Sequence, residues 1–153
     1  MKQCDHALSQ QLLAEAANSP RLRSHQLWHQ DHQDTVQRML LAAQPGSYVA
    51  AHQHTQQWEC LIPVYGEVEW LRFNEQGTLL ERRRLTPGDV LEMPAATIHT
   101  LVFNQPCCLF EVKPGPFAPS QFAEWAPQEG QAGVAEIQAW LTLAKPGERY
   151  AHP

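Results

Sequence analysis

The sequence is short of positive charge, and what it has is scattered: 11 Lys and Arg stand against 16 Asp and Glu, a formal net charge of -5 over 153 residues. Nucleic-acid binding draws on clustered positive charge, and the one basic run, Arg82-Arg83-Arg84, would be divided between the two faces of a strand. No nucleic-acid partner is expected. Nor does any apolar run approach the roughly 20 residues needed to span a bilayer. The opening "MKQCDHALSQQLLAEAANSP" carries Asp5, His6 and several glutamines where a secretory signal has its apolar core. The expectation is a cytoplasmic protein with no membrane partner. Cys4, Cys60, Cys107 and Cys108 form no C-x-x-C pair and no disulfide framework. They read as small buried hydrophobes, with Cys107 and Cys108 on opposite faces of one strand.

What is present fits a single globular domain: the length leaves no room for a second full core, and 43% hydrophobic against 18% charged residues is a globular balance. Twelve prolines divide it into short elements. "DHALSQQLLAEAA" sets Leu8, Leu12 and Leu13 at helical spacing before the stop Asn18-Ser19-Pro20. From residue 35 to 114 the texture is that of a β-core, with eight candidate strands: "TVQRMLLAA", "YVAAHQH", "WECLIPVY", "EVEWLRF", "TLLERRRL", "VLEM", "IHTLVF" and "CLFEVK". Pro63 deletes a ladder hydrogen bond, which places its strand at an edge or in a bulge. After Pro114-Gly115-Pro116 an irregular tail brings Phe117, Phe122 and Trp125 to cover an apolar face, and "AGVAEIQAWLTLA" reads as a closing helix with Trp140 as packing. The expected organisation is an N-terminal helix and connecting segment (1–34), a β-barrel (35–114), and a tail with a helix that packs on it (115–153).

The chemistry concentrates in "GSYVAAHQHTQQWECLIPVYG". His52 and His54, two apart on a strand, leave from the same face within about 7 Å of each other. Neutral imidazoles bind first-row metals, and a carboxylate adds the charge that they lack. Glu59 supplies it once the "TQQW" turn carries it to the neighbouring strand. His99 in "MPAATIHTL" is the histidine placed to be the fourth ligand. The competing view is a polar strand surface in a chain with eight histidines. Against it stands the pattern Gly46-x5-His52-x-His54-x4-Glu59-x6-Gly66, which resembles a known family motif with no position missing, a match expected by chance at any one start on the order of once in a million. His25, His29, His32, His6 and His152 read as surface or local hydrogen-bonding groups, with His29 the one placed to reach a pocket mouth.

That spacing is the first motif of the cupin superfamily, and the second is represented by Gly88, Pro94 and His99, with Ala96 in place of its last glycine and Asn104 one position late. Over about Ser19 to Trp140 the chain resembles the WbuC-type cupin-fold metalloproteins. The residues that carry this are "SPRLR", "VQRMLLAAQPGSYVAAHQH", "IHTLVF", "FEVKPGPF" and "FAEWAPQEG". It departs from them at Ala51, Gln53, Thr55 and Ile98, and at His25 and Leu27, where asparagines are common. The resemblance implies an all-β fold, a single cupin jelly-roll β-barrel with short terminal helices, and a metal-bearing protein of surface-polysaccharide or O-antigen metabolism.

The expected site is therefore one divalent ion (Fe, Mn, Ni, Co, Cu or Zn) held by His52, His54, Glu59 and His99 with an open position for a small-molecule ligand. Tyr48 and Ala50 are expected on the face of His52, which makes Tyr48 the candidate catalytic residue. Arg38, Glu111 and Lys113, charges on otherwise apolar strands, are candidate ligand-binding residues, and each must pair, face the cavity or face water. Arg21 and Arg23 either reach an anionic ligand or are ordinary surface arginines. Three functions stay open: a metal-dependent isomerase or epimerase, an Fe(II) dioxygenase, and a non-catalytic binding module. Antiparallel sheets leave edge strands exposed, and the resemblance to cupins, which commonly pair subunits, implies a homodimer.

Overall fold

The first element begins where Asp5 accepts a hydrogen bond from the Leu8 N–H at 2.9 Å, which satisfies one of the free donors of a helix start. Helix α1 (His6–Ala17) runs to Asn18 and buries Leu12, Leu13 and Ala16. The computed structural model describes residues 1–151, so His152 lies outside the described residues.

Ten strands follow: β1 (Arg23–Leu27), β2 (Val36–Ala43), β3 (His52–Gln53), β4 (Glu59–Tyr65), β5 (Val68–Phe73), β6 (Leu79–Leu85), β7 (Leu91–Met93), β8 (Ile98–Val102), β9 (Cys107–Pro114) and β10 (Gln121–Phe122). Helix α2 (Val134–Leu143) follows them. The strands form two antiparallel five-stranded sheets, ordered β1-β2-β9-β4-β7 and β10-β3-β8-β5-β6. The fold is mostly β, two sheets with two short helices. The expected closed barrel is not what the pairing gives, because β1 and β7 end one sheet and β10 and β6 end the other.

All eight anticipated segments contain strands, though "YVAAHQH" keeps only two residues as strand, with an isolated bridge from Tyr48 to Val102. Two more come from outside the expected β-region. β1 pairs along all of its length with β2, and β10 pairs with β3 through Phe122 and His52. Pro63 sits where the register of β4 against β9 shifts, and β7 covers β4 only from Glu59 to Leu61. The missing N–H of Pro63 thus falls where the ladder turns irregular.

Alternation along the strands builds three cores. Between the sheets, Leu61, Val68, Trp70, Leu85, Leu101, Cys107 and Leu109 pack together. On the outer side of the first sheet, Leu40, Ala42 and Cys108 meet Leu12 and Leu13 of α1. Each fully buried leucine contributes about 1.5–3 kcal/mol. On the outer side of the second, Leu71, Phe73 and Val102 meet Ile137 and Leu141 of α2. Cys107 and Cys108 thus point into different cores, as expected of neighbours on one strand, and burial pushes both thiols up to about 12. Among the described residues no helix is long and apolar enough to cross a membrane.

Candidate metal centre

His52 on β3 stands directly opposite His99 on β8, so their imidazoles lie side by side with ring centroids 4.6 Å apart. His54 follows β3, its backbone oxygen held by the Ala96 N–H at 2.8 Å, and its ring lies 5.4 Å from that of His52. Glu59 opens β4 in the other sheet, where Met93 is its partner. It reaches across to His99 Nε2 (Oε2, 3.0 Å) and His54 Nε2 (Oε1, 3.4 Å). The four expected donors meet in the gap between the sheets, and His54, Glu59 and His99 are at most 5% exposed.

Two of the imidazoles have their protons assigned by their surroundings. His52 Nδ1 is 2.9 Å from Ala50 O, and His99 Nδ1 is 2.9 Å from Thr97 O. A carbonyl only accepts, so each Nδ1 donates, and a neutral ring then has its lone pair on Nε2. Burial, followed by the neighbouring His99, pushes His52 down to about 3, so it is neutral at ordinary pH. Burial works to raise the Glu59 carboxyl, but the hydrogen bonds of His54 and His99 and the charges of His99 and Lys113 outweigh it and hold Glu59 well below the carboxylate range.

Two further groups enter from β9. Lys113 Nζ donates to Glu111 Oε1 at 2.9 Å and lies 3.5 Å from Glu59 Oε1 and 3.4 Å from His54 Nε2. Burial and the Glu59 charge push the Glu111 carboxyl up to about 8 against the pull of Lys113. Burial would lower the Lys113 ammonium, yet the two carboxyls raise it. Donors and pair together face a cavity of about 420 Å³.

The donor set suits a divalent transition metal: three imidazoles, a carboxylate, outward Nδ1 bonds, and a His54 Nδ1 buried without a partner. As they stand, however, the described residues contain no group of three or more His, Cys, Asp or Glu closed into a metal-holding cluster. The two observations differ because the first concerns the kind and direction of the donors and the second their present spacing, and Lys113 stands among them.

Other expected positions fall elsewhere. Tyr48 does not share the face of His52: it belongs to the core beneath α2, and its hydroxyl donates to Pro127 O at 2.6 Å. The chain between Tyr48 and β3 is not regular strand, so alternation does not carry across it. Arg38 is exposed, with Nη2 3.5 Å from Trp28 O, and does not line the donor cavity. Arg23, by contrast, lines it, and its largely buried guanidinium pairs with Glu129 and donates to Tyr48 O. Glu129 carried no signal in the sequence beyond its place in "APQEG".

A family model described as "Domain of unknown function (DUF6016)" matches residues 4–85, more than half of the chain. The chain belongs to this family. The DUF6016 match takes in α1, His52, His54 and Glu59 and ends before His99. No curated protein matches the DUF6016 chain. Solved structures similar to it are cupin-fold proteins. A cupin superfamily protein of Desulfitobacterium hafniense DCB-2 is 20% identical, with 60% of this chain and 76% of that one covered and a TM-score of 0.51. The DMSP lyase DddQ of Ruegeria pomeroyi DSS-3 is 20% identical over 70% of this chain but only 54% of its own, with a TM-score of 0.56. KdgF of Halomonas sp. is 22% identical over 65% and 84%, with a TM-score of 0.53. At these identities the likeness is one of fold alone.

Proposed function

We propose that this chain is a metal-dependent cupin of WbuC type in which His52, His54, Glu59 and His99 hold one divalent transition-metal ion, and in which the adjoining cavity takes a small, sugar-derived ligand of surface-polysaccharide metabolism. The observation that carries this reading is the pair of Nδ1–carbonyl bonds at His52 and His99, which leave Nε2 of each ring as the nitrogen to ligate, that of His99 lying 3.0 Å from the Glu59 carboxylate. When bound, such an ion supplies Lewis acidity toward a ligand oxygen. The protein's own part is to keep the His52 imidazole neutral, to exclude water with Leu61 and Leu101, and to hold a proton between Glu111 Oε1 and Lys113 Nζ at the cavity wall. The chemistry that suits this arrangement is proton movement beside a polarised carbonyl, as in isomerisation or epimerisation. A homodimer formed along exposed strand edges belongs to the same proposal, with β1, three of its five residues exposed, as one such edge.

The test is elemental analysis of freshly purified protein beside its variants. His52→Ala and His99→Ala are expected to lose most bound metal, and His32→Ala to retain it. Equal metal content in all three overturns the ligand assignment. Oxygen uptake on anaerobic iron loading would move the reading to an oxidative enzyme, and saturable ligand binding without product to a binding module.

A further inference from the structure

Behind the Glu111–Lys113 pair lies a second cavity, of about 280 Å³, which shares both of these residues with the donor cavity. Gln37 and His29 line it, together with the apolar side chains of Leu27, Met39 and Phe117. His25, Met39 and Phe117 line both as well, so the two compartments adjoin.

Gln37 is 4% exposed. Its Nε2 donates to Asp34 O at 3.0 Å and to Asp31 O at 3.3 Å. Turning the amide over would set Oε1 against these carbonyl oxygens, so its orientation is forced. Oε1 is left buried with no hydrogen-bond partner. A buried acceptor in that state costs about as much as a lost hydrogen bond, which marks it as a group awaiting a donor.

His29, 7% exposed, supplies the complementary group. Its Nδ1 lies 3.0 Å from both the N and the O of Arg38. The Arg38 oxygen already accepts from the Trp28 N–H at 2.8 Å, whereas the Arg38 N–H has His29 as its acceptor. Nδ1 therefore accepts, and the neutral ring has its proton on Nε2, a donor with no partner among the described residues. Charge selects the class of occupant. The Lys113 ammonium is matched by the Glu59 carboxylate beside it, and Arg38, which also lines the cavity, directs its guanidinium toward Trp28 O, 3.5 Å away.

We propose that this compartment is a subsite for a neutral cyclic polyol, with one hydroxyl donating to Gln37 Oε1, its neighbour accepting from His29 Nε2–H, and the ring's C–H face against Phe117 and Met39. The proposal deepens the reading above, since it names the chemistry of the part of the ligand that lies away from the metal. It rests on that reading only for the cavity being a ligand site.

The experiment is an NMR titration of isotope-labelled full-length protein with vicinal cyclohexanediol and, separately, with its dimethyl ether, which has the same body but cannot donate. The diol is expected to shift the Gln37 amide, His29 and Phe117 signals saturably, and the ether to bind about tenfold more weakly, because it leaves Oε1 unpaired. Gln37→Met removes the acceptor at similar length and should erase the difference between the probes. Because Gln37 also ties down the segment from Asp31 to Asp34, Phe117→Ala at a half-exposed position is the second variant, expected to weaken the diol several-fold without altering the melting temperature. Equal binding of the two probes, absence of a saturable shift, or diol binding untouched by Phe117→Ala overturns the subsite. His52→Ala is expected to leave diol binding unchanged, so a failure of the metal assignment and a failure of the subsite are read separately.

Discussion

The space between the sheets has two ends of opposite character, and the same strands build both. On β9, Cys107 and Leu109 enter the apolar end and Glu111 and Lys113 the polar one; on β8 the change falls between Leu101 and His99, and on β4 between Leu61 and Glu59. The apolar end is nearly sealed, with Leu61, Leu109 and Cys107 at most 1% exposed. The polar end holds ionisable groups that are almost as deeply buried and that stay there only because each has a partner. The difference is one of purpose: the first end stabilises the fold, whereas the second spends stability to keep charged groups facing a cavity.

The contrast is broken most severely by a substitution at either end. Leu109→Ala removes a completely buried side chain and is expected to cost about 3 kcal/mol, read as a drop in the denaturation midpoint with metal content per folded chain unchanged. At the polar end, Lys113→Met leaves Glu59 and Glu111 facing each other without their cation. We expect a loss of about 3 kcal/mol, and recovery of most of it when Glu111→Leu is added, since a buried pair replaced by apolar groups is often neutral.

A smaller effect is expected from pH. The folded-state value of His52 lies at about 3, below its ordinary 6.5. Its contribution to stability is present above 6.5 and is lost as the pH falls toward 3, because only the unfolded chain takes up the proton in that window. Chelated protein should thus lose stability on acidification through this range, and His52→Ala should flatten the slope. The smallest effect is expected far from both ends: Asp5→Ala removes the α1 cap and should cost about 1 kcal/mol, with no change in metal content.

Much of this was legible in the sequence, for identifiable reasons. Turn glycines do mark the strand ends: Gly46, Gly66 and Gly77 all have positive φ, and a side chain at Gly66 would run into Pro106 O. The spacing of His52, His54, Glu59 and His99 foretold their convergence, because each lies on or beside a strand whose alternation is intact. Where alternation fails, so did the reading. Tyr48 was assigned to the wrong face because residues 49–51 are not strand. β1 went unnoticed since "RSHQL" has neither β-branched nor aromatic residues, and its pairing with β2 is what makes it a strand. The Arg23–Glu129 contact joins residues 106 positions apart, and no local pattern announces it.

Because β9 presents alternate residues to two different environments along its full pairing with β2, inserting or deleting a single residue in it would exchange both sets at once. Glu111 and Lys113 would turn beneath α1, and Leu40's oily neighbours would be thrust toward the cavity. Evolutionary drift in chain length should accordingly be absent from this strand and collect in turns such as Thr86–Asp89, where a change of length alters no register.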